Sequence, residues 1–329
     1  MRQSRIAAEK SRPTPMKFTY LITILFVFCS VDLARGQTPR TPEAFMDRGI
    51  ERQAKGDLDG AIEDFTKTIS LKPQALVLAA AYNNRANALT SKKDFAGAIS
   101  DYSKAIEVLP GDPENYYNRG VLFLNQSNYD HAIADFSKAI ELAPGLTLAY
   151  NNRANARKAK GDIEGALSDY NKAIELNPRY VEAYYNRGAA LQAKNDLDGA
   201  IKDYSTALDI APRFTDAYVN RGQAKQSKHD LDGAIADYNA ALELKADDPG
   251  IYFARGSARQ EKKDLNGALG DYSRVIELDP SSAQGYANRA AIESLQGNRA
   301  RADQDFDKAF KLDPNLKSQF KEFIEKRRP

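Results

Sequence analysis

The sequence has no tryptophan, a single cysteine (Cys29), two histidines (His131 and His229) and three methionines in 329 residues. One cysteine excludes a disulfide framework within the chain, and neither histidine has a second ligand at zinc spacing. The signatures HExxH, GxSxG, the P-loop and GxGxxG do not occur. No catalytic role, cofactor, metal site or small-molecule substrate is therefore expected. Charge of one sign is scarce too: 47 basic against 45 acidic side chains leave a net charge of +2. A chain this close to neutral gives no electrostatic reason to expect nucleic acid or an anionic membrane surface as partner.

Long apolar runs are also rare. The longest uncharged one is Phe18–Val31, 14 residues behind a basic stretch that includes Arg2, Arg5, Lys10, Arg12 and Lys17. That length suits the apolar region of a secretory signal and is short for a membrane span of about 20 residues. Ala34-Arg35-Gly36 supplies small residues where a signal peptidase reads, so residues 1–36 are expected to be a signal peptide cleaved after Gly36, with Met16 as an alternative start. Phe28 stands before Cys29 where a lipoprotein signal needs a small residue, which argues against lipidation. The expected location is outside the cytoplasm, periplasmic or extracellular. The alternative is an uncleaved anchor over 18–31, the one case in which a membrane would be a partner. The leader carries six basic and two acidic side chains, so the mature chain changes from +2 to −2, and the only cysteine leaves with the leader. What remains must be held by packing alone.

What the sequence has in quantity is one unit written repeatedly. Pro110, Pro144, Pro178 and Pro212 are 34 residues apart, Pro280 and Pro314 keep the frame, and Ala246 takes the one missing place. Pro73 lies 37 before Pro110, which puts three extra residues after the first unit. After a linker over 37–41, residues 42–316 make eight units. Within Val181–Phe214, Tyr184, Arg187, Gly188 and Leu191 fall at i, i+3, i+4 and i+7, one helical face. Asn195-Asp196 reads as turn and cap, Ala200, Asp203, Tyr204 and Ala207 form a second face, and Pro212 stops it. Each unit is a predicted helical hairpin. Beyond the last unit Leu316, Phe320, Phe323 and Ile324 share one face, with Lys317, Lys321, Glu322, Glu325 and Lys326 opposite, so 317–329 reads as a capping helix with a basic tail.

With an aromatic, a Gly or Ala four residues on, then Ala, Tyr or Phe, Ala and a closing Pro, the chain resembles the tetratricopeptide repeat (TPR) family over about 275 residues. The departures are Thr68 and Val275 for the last Ala, and Ala246 for Pro. The resemblance implies an all-α fold, a right-handed superhelical solenoid of helix-turn-helix repeats. It also implies a non-catalytic scaffold whose partner is a protein or peptide held on the concave surface lined by the first helices. Alternatives are a membrane-anchored structural subunit of an envelope assembly and the targeting arm of an enzyme complex.

The pentapeptide YYNRG, at Tyr116–Gly120 and Tyr184–Gly188, carries the family's main departure. Where a typical TPR has an apolar residue before the small one, this chain has Arg48, Arg85, Arg119, Arg153, Arg187, Arg221, Arg255 and Arg289. Sixteen residues after each comes Asp64, Asp101, Asp135, Asp169, Asp203, Asp237, Asp271 or Asp305. Eight arginines matched by eight aspartates predict an ion-pair ladder, within a hairpin or to its neighbour, that fixes register; an acidic ligand for the arginines is the competing reading. Asparagine precedes the arginine at Asn84, Asn118, Asn152, Asn186, Asn220 and Asn288. The family comparison puts that position on the lining side, similar to the asparagine ladder of long TPR superhelices. There a column of amides can pair with the backbone of an extended peptide, unless it caps nearby backbone or bonds water. Tyr117, Tyr185 and Phe253 are expected to line the same groove, with the first tyrosine of YYNRG packing against the glycine in the core.

Two motifs are set aside. A carboxylate clamp of the co-chaperone kind needs several cations on the lining, where Asn83, Tyr117, Asn151 and Glu182 stand and Lys158 is nearly alone. Asp-Leu-Asp-Gly at 57–60, 196–199 and 230–233 lacks the glycine position and the third ligand of a calcium loop, and reads as turn and helix cap.

Overall fold

The computed structural model describes residues 40–321 and 323. The expected leader, the 18–31 anchor and the capping residues Glu322, Ile324, Glu325 and Lys326 lie outside the described residues. The chain divides into two compact units, Met1–Pro178 and Arg179–Pro329. In the first, α1 (Pro42–Ala54), α2 (Leu58–Ser70), α3 (Ala75–Ser91), α4 (Phe95–Val108), α5 (Pro113–Asn125), α6 (Tyr129–Leu142), α7 (Thr147–Ala159) and α8 (Ile163–Leu176) pair as hairpins 1–4. In the second, α9 (Val181–Ala193), α10 (Leu197–Ile210), α11 (Thr215–Ser227), α12 (Leu231–Leu244), α13 (Pro249–Glu261), α14 (Leu265–Leu278), α15 (Ala283–Leu295) and α16 (Arg299–Leu312) pair as hairpins 5–8, followed by α17 (Leu316–Gln319). No strand occurs among the described residues.

Each hairpin turns at one left-handed residue between its two helices. Glycine takes that place at Gly56, Gly161 and Gly297, while Lys93, Ser127, Asn195, His229 and Lys263 hold φ between 60° and 67°. Glycine fits there without a Cβ clash, and five other side chains tolerate it because the packed helices on both sides fix the turn. The second helix then starts on an aspartate cap: Asp57, Asp94, Asp162, Asp196, Asp230 and Asp264 each accept from the backbone N–H three residues on.

From hairpin 2 onward the second helix ends in an extended residue, such as Leu109 at φ −136° and Ala143 at φ −137°, each before a proline that disfavours helical backbone behind it. Lys245, which precedes Ala246, adopts φ −146° all the same. Packing therefore sets this corner, and the proline only reinforces it. The three extra residues after hairpin 1 lengthen α3 to 17 residues against 13 in α5.

Inside each hairpin the second helix supplies the core. Ala98, Tyr102 and Ala105, Ala132, Phe136 and Ala139, and their counterparts in the other hairpins are buried. A ring so buried stabilises by about 1.5–3 kcal/mol. The small residue of the first helix lies against that ring: a Cβ on Gly188 would stand 2.9 Å from Tyr204 and one on Gly120 3.0 Å from Phe136. At the C-terminal end Leu316 is buried against Ala287 and Ala309. Phe320 and Phe323 lie 5.7 and 6.4 Å from the Phe306 ring and cover the outer side of hairpin 8.

The two tyrosines of YYNRG exchange the roles expected of them. Tyr117, the second, is 1% exposed and packs 5.8 Å from the Phe136 ring. Tyr116, the first, is half-buried beneath the Arg119 guanidinium at 6.0 Å. A first helix is gripped by its own second helix and by the preceding hairpin, as α5 is by α6 and α4, and it also meets the neighbouring first helix α7. So many partners bury more of its circumference than a two-helix hairpin would.

Candidate functional site

In both units each ladder arginine meets the aspartate of its own hairpin. Arg119 donates Nε to Asp135 Oδ2 and Nη2 to Oδ1, both at 2.8 Å. The same two-pronged contact joins Arg48–Asp64, Arg85–Asp101, Arg153–Asp169, Arg187–Asp203, Arg221–Asp237, Arg255–Asp271 and Arg289–Asp305. The aspartates are buried and the arginines remain partly exposed. Hydrogen bonding to Asp135 outweighs desolvation and raises the Arg119 pKa, so its charge is permanent.

Two parts of this device went unread in the sequence. The remaining prong, Nη1, crosses to the preceding hairpin: Arg85 to Thr66, Arg119 to Ser103, Arg153 to Ser137, Arg221 to Ser205, Arg255 to Asn239 and Arg289 to Ser273, at 2.6–3.3 Å. Its signal is a small polar residue two places after each ladder aspartate. In addition, a second cation one turn after the arginine shares the aspartate in four hairpins: Arg52 at 3.0 Å, Arg157 at 2.7 Å, Lys225 at 2.9 Å and Arg259 at 2.8 Å. The guanidinium also rests over the aromatic three residues before it, as Arg153 does over Tyr150 at 5.6 Å. The ladder thus ties each arginine to its own aspartate and the Nη1 groups named above to the preceding hairpin, which makes it a register device.

The asparagine column divides. Expected at an open lining, Asn118, Asn152 and Asn186 are instead 1%, 3% and 8% exposed. Asn152 donates to Tyr117 Oη at 3.0 Å, and Asn220 to Tyr185 Oη at 3.0 Å, each reaching the preceding first helix. Burial pushes both phenols up to about 12. Asn84 donates to the carbonyl of Ala80 and Asn288 to that of Gln284, four residues back on their own helices. Asn118 faces no tyrosine, because the place of Tyr117 is taken one unit earlier by Asn83, and neither its Nδ2 nor its Oδ1 has a partner. Asn83 is already engaged. Tyr102 donates to Asn87, Asn87 to Asn83, Asn83 to Asn115 and Asn115 to Asp112, a directed chain of 2.6–2.9 Å contacts. Tyr185 and Phe253 are half-buried, 5.9 and 5.7 Å from the Tyr204 and Tyr272 rings of their own hairpins.

The aspartates of Asp-Leu-Asp-Gly are occupied as well. Asp57, Asp196 and Asp230 cap backbone, while Asp59, Asp198 and Asp232 hold Lys92, Lys228 and Lys262 of the next hairpin. His229 sits in a turn with Nδ1 2.9 Å from Glu261, and His131 lies in the first turn of α6, 2.8 Å from Asn128. Among the described residues no cluster of three or more His, Cys, Asp or Glu could hold a metal ion, and no helix is long and apolar enough to cross a membrane.

Stacked hairpins of this sequence and geometry define an all-α repeat protein. The tetratricopeptide repeat profile matches residues 79–112, 113–146, 181–214 and 283–316, and the related TPR repeat profile matches 154–195 and 227–263. The chain belongs to the tetratricopeptide repeat family. No curated protein matches it. Among solved structures, the C-terminal part of a TPR repeat-containing protein from Cytophaga hutchinsonii superposes with a TM-score of 0.62 at 19% identity, covering 74% of this chain and 98% of that one. A tetratricopeptide repeat protein from Parabacteroides merdae gives 0.58 at 16% identity over 76% and 98%. YrrB, described as a TPR protein with an unusual peptide-binding site, gives 0.49 at 28% identity over 54% and 92%. An array of such repeats is a protein-interaction scaffold.

Proposed function

We propose that the protein holds an extended segment of a partner protein along the faces of its first helices. The observation that supports this reading is unspent hydrogen-bonding capacity there. Asn84 and Asn288 are partly exposed and each spends only its amide nitrogen, on its own helix, which leaves Oδ1 as an acceptor, whereas the ladder arginines are held by their aspartates. One of these amides lies in each unit, on the first helices α3 and α15. Uncharged donors and acceptors of this kind read backbone and leave side-chain choice to neighbouring positions.

A photo-crosslinking amino acid at Leu124 on α5 should trap the partner, and one at Lys172 on the outer side of α8 should not. N84A should weaken the partner's binding while the melting temperature stays level. Adducts at Lys172 alone would refute the reading.

A further inference from the structure

Five of the eight hairpins carry a tyrosine at the buried second-helix position, its hydroxyl is used in two ways, and hairpin 4 is left with a residue that neither way uses. In hairpins 5, 6 and 7 the hydroxyls of Tyr204, Tyr238 and Tyr272 donate to Gln192, Gln226 and Gln260, at 2.9, 3.2 and 2.8 Å. In hairpin 4 the equivalent first-helix position is Lys158, which cannot accept, and Tyr170 donates to Asn155 Oδ1 at 2.6 Å instead. That bond fixes the flip of the Asn155 amide and turns its NH2 away from the ring. In hairpin 2 the same arrangement, Tyr102 to Asn87, spends the amide nitrogen on Asn83. In hairpin 4 it does not: Asn155 Nδ2 has no acceptor among the described residues.

Lys158 is three residues on, one turn along α7 on the same face. It is half-buried, makes no ion pair or hydrogen bond among the described residues, and burial alone lowers its pKa. The cations of the neighbouring positions differ from it in this respect. Arg157 is paired with Asp169, and Lys160 with Asp130. A partly desolvated ammonium without a counter-ion is unfavourable in the free protein and becomes favourable once a carboxylate meets it.

From the paired, acceptor-free donors Asn155 Nδ2 and Lys158 Nζ we infer a subsite in the first unit for the side-chain carboxylate of an Asp or Glu in the bound segment. The inference rests on the first-helix reading above. Lys158 is six residues beyond Asn152, about 9 Å along the helix axis. A backbone crossing α7 at the level of Asn152 leaves that distance to Lys158, a gap that an acidic side chain can span towards the lysine. Leu124, at the same position one hairpin earlier on α5, offers an apolar step beside it. Adjacent helices pack about 8–10 Å apart, close to three residues of extended chain at about 3.3 Å each. The favoured segment therefore carries an apolar residue three places from the acid.

The test uses the full chain and N-acetylated, C-amidated 12-residue peptides of Ala, Ser and Leu in which one Glu is walked through every position, with a matched Gln series. One Glu position should bind at least tenfold more tightly than its Gln counterpart. K158M should abolish that preference while melting no lower than wild type, and N155D, which supplies the carboxylate within the chain, should abolish it too. Gln peptides that bind as well as Glu peptides at every position would overturn the subsite and leave the first-helix reading standing. So would a preference that survives K158M. Binding by neither series would overturn both.

Discussion

Replacing Arg119 by methionine separates the cost of a lone buried carboxylate from the cost of a shared one. Met keeps the length and the apolar stem of arginine and removes two contacts of 2.8 Å to Asp135 and one of 2.9 Å to Ser103. Asp135 is buried and no second cation reaches it, since the position one turn after Arg119 is Phe123. Breaking a buried pair by deleting one partner costs about 3–5 kcal/mol. At about 2–4 °C per kcal/mol for a unit of this size, R119M should melt about 6–20 °C lower. The same change at Arg153 leaves Asp169 with Arg157 at 2.7 Å, so R153M should cost about 1–2 kcal/mol, the scale of the lost hydrogen bonds. Adding D135N to R119M removes the stranded charge and should recover a large part of the loss. Differential scanning calorimetry of the four proteins in one buffer reads all of this. An R119M chain that melts with wild type would refute the buried-pair argument, and equal losses at the two sites would refute the role given to the second cation.

Y117F should cost about 1–2 kcal/mol in urea unfolding, because Asn152 is left with a buried donor, and the added change N152A should relieve part of it. On spectrophotometric titration Tyr117 and Tyr185 should ionise near 12. Their pKa values are raised in the fold, so the associated stability is present below the ordinary tyrosine value near 10 and is lost as pH rises through 12; a single transition for all tyrosines near 10 would contradict this. G188A should destabilise by about 1–3 kcal/mol, because its Cβ meets the Tyr204 ring at 2.9 Å, and a neutral result would show that the ring shifts freely. Millimolar calcium should leave the melting curve unmoved, since the aspartates of Asp-Leu-Asp-Gly already cap helices and hold lysines.

The repeat, its helices and the arginine–aspartate pairing follow from the sequence alone, since a 34-residue period and a fixed spacing of 16 are written directly in the chain. Periodicity states which residues share a helix face, and charge matching states which ions must meet if both are buried. Neither says how many neighbours enclose that face. Only the tertiary structure places the second tyrosine of YYNRG in the core and the first beneath the arginine, closes Tyr117 over Asn152, and leaves Asn118 and Lys158 without partners. These are outcomes of stacking, in which a side chain's surroundings come from residues about 35 positions away. There a single exchange, Asn83 in the place of a tyrosine, decides whether the next amide is satisfied or open.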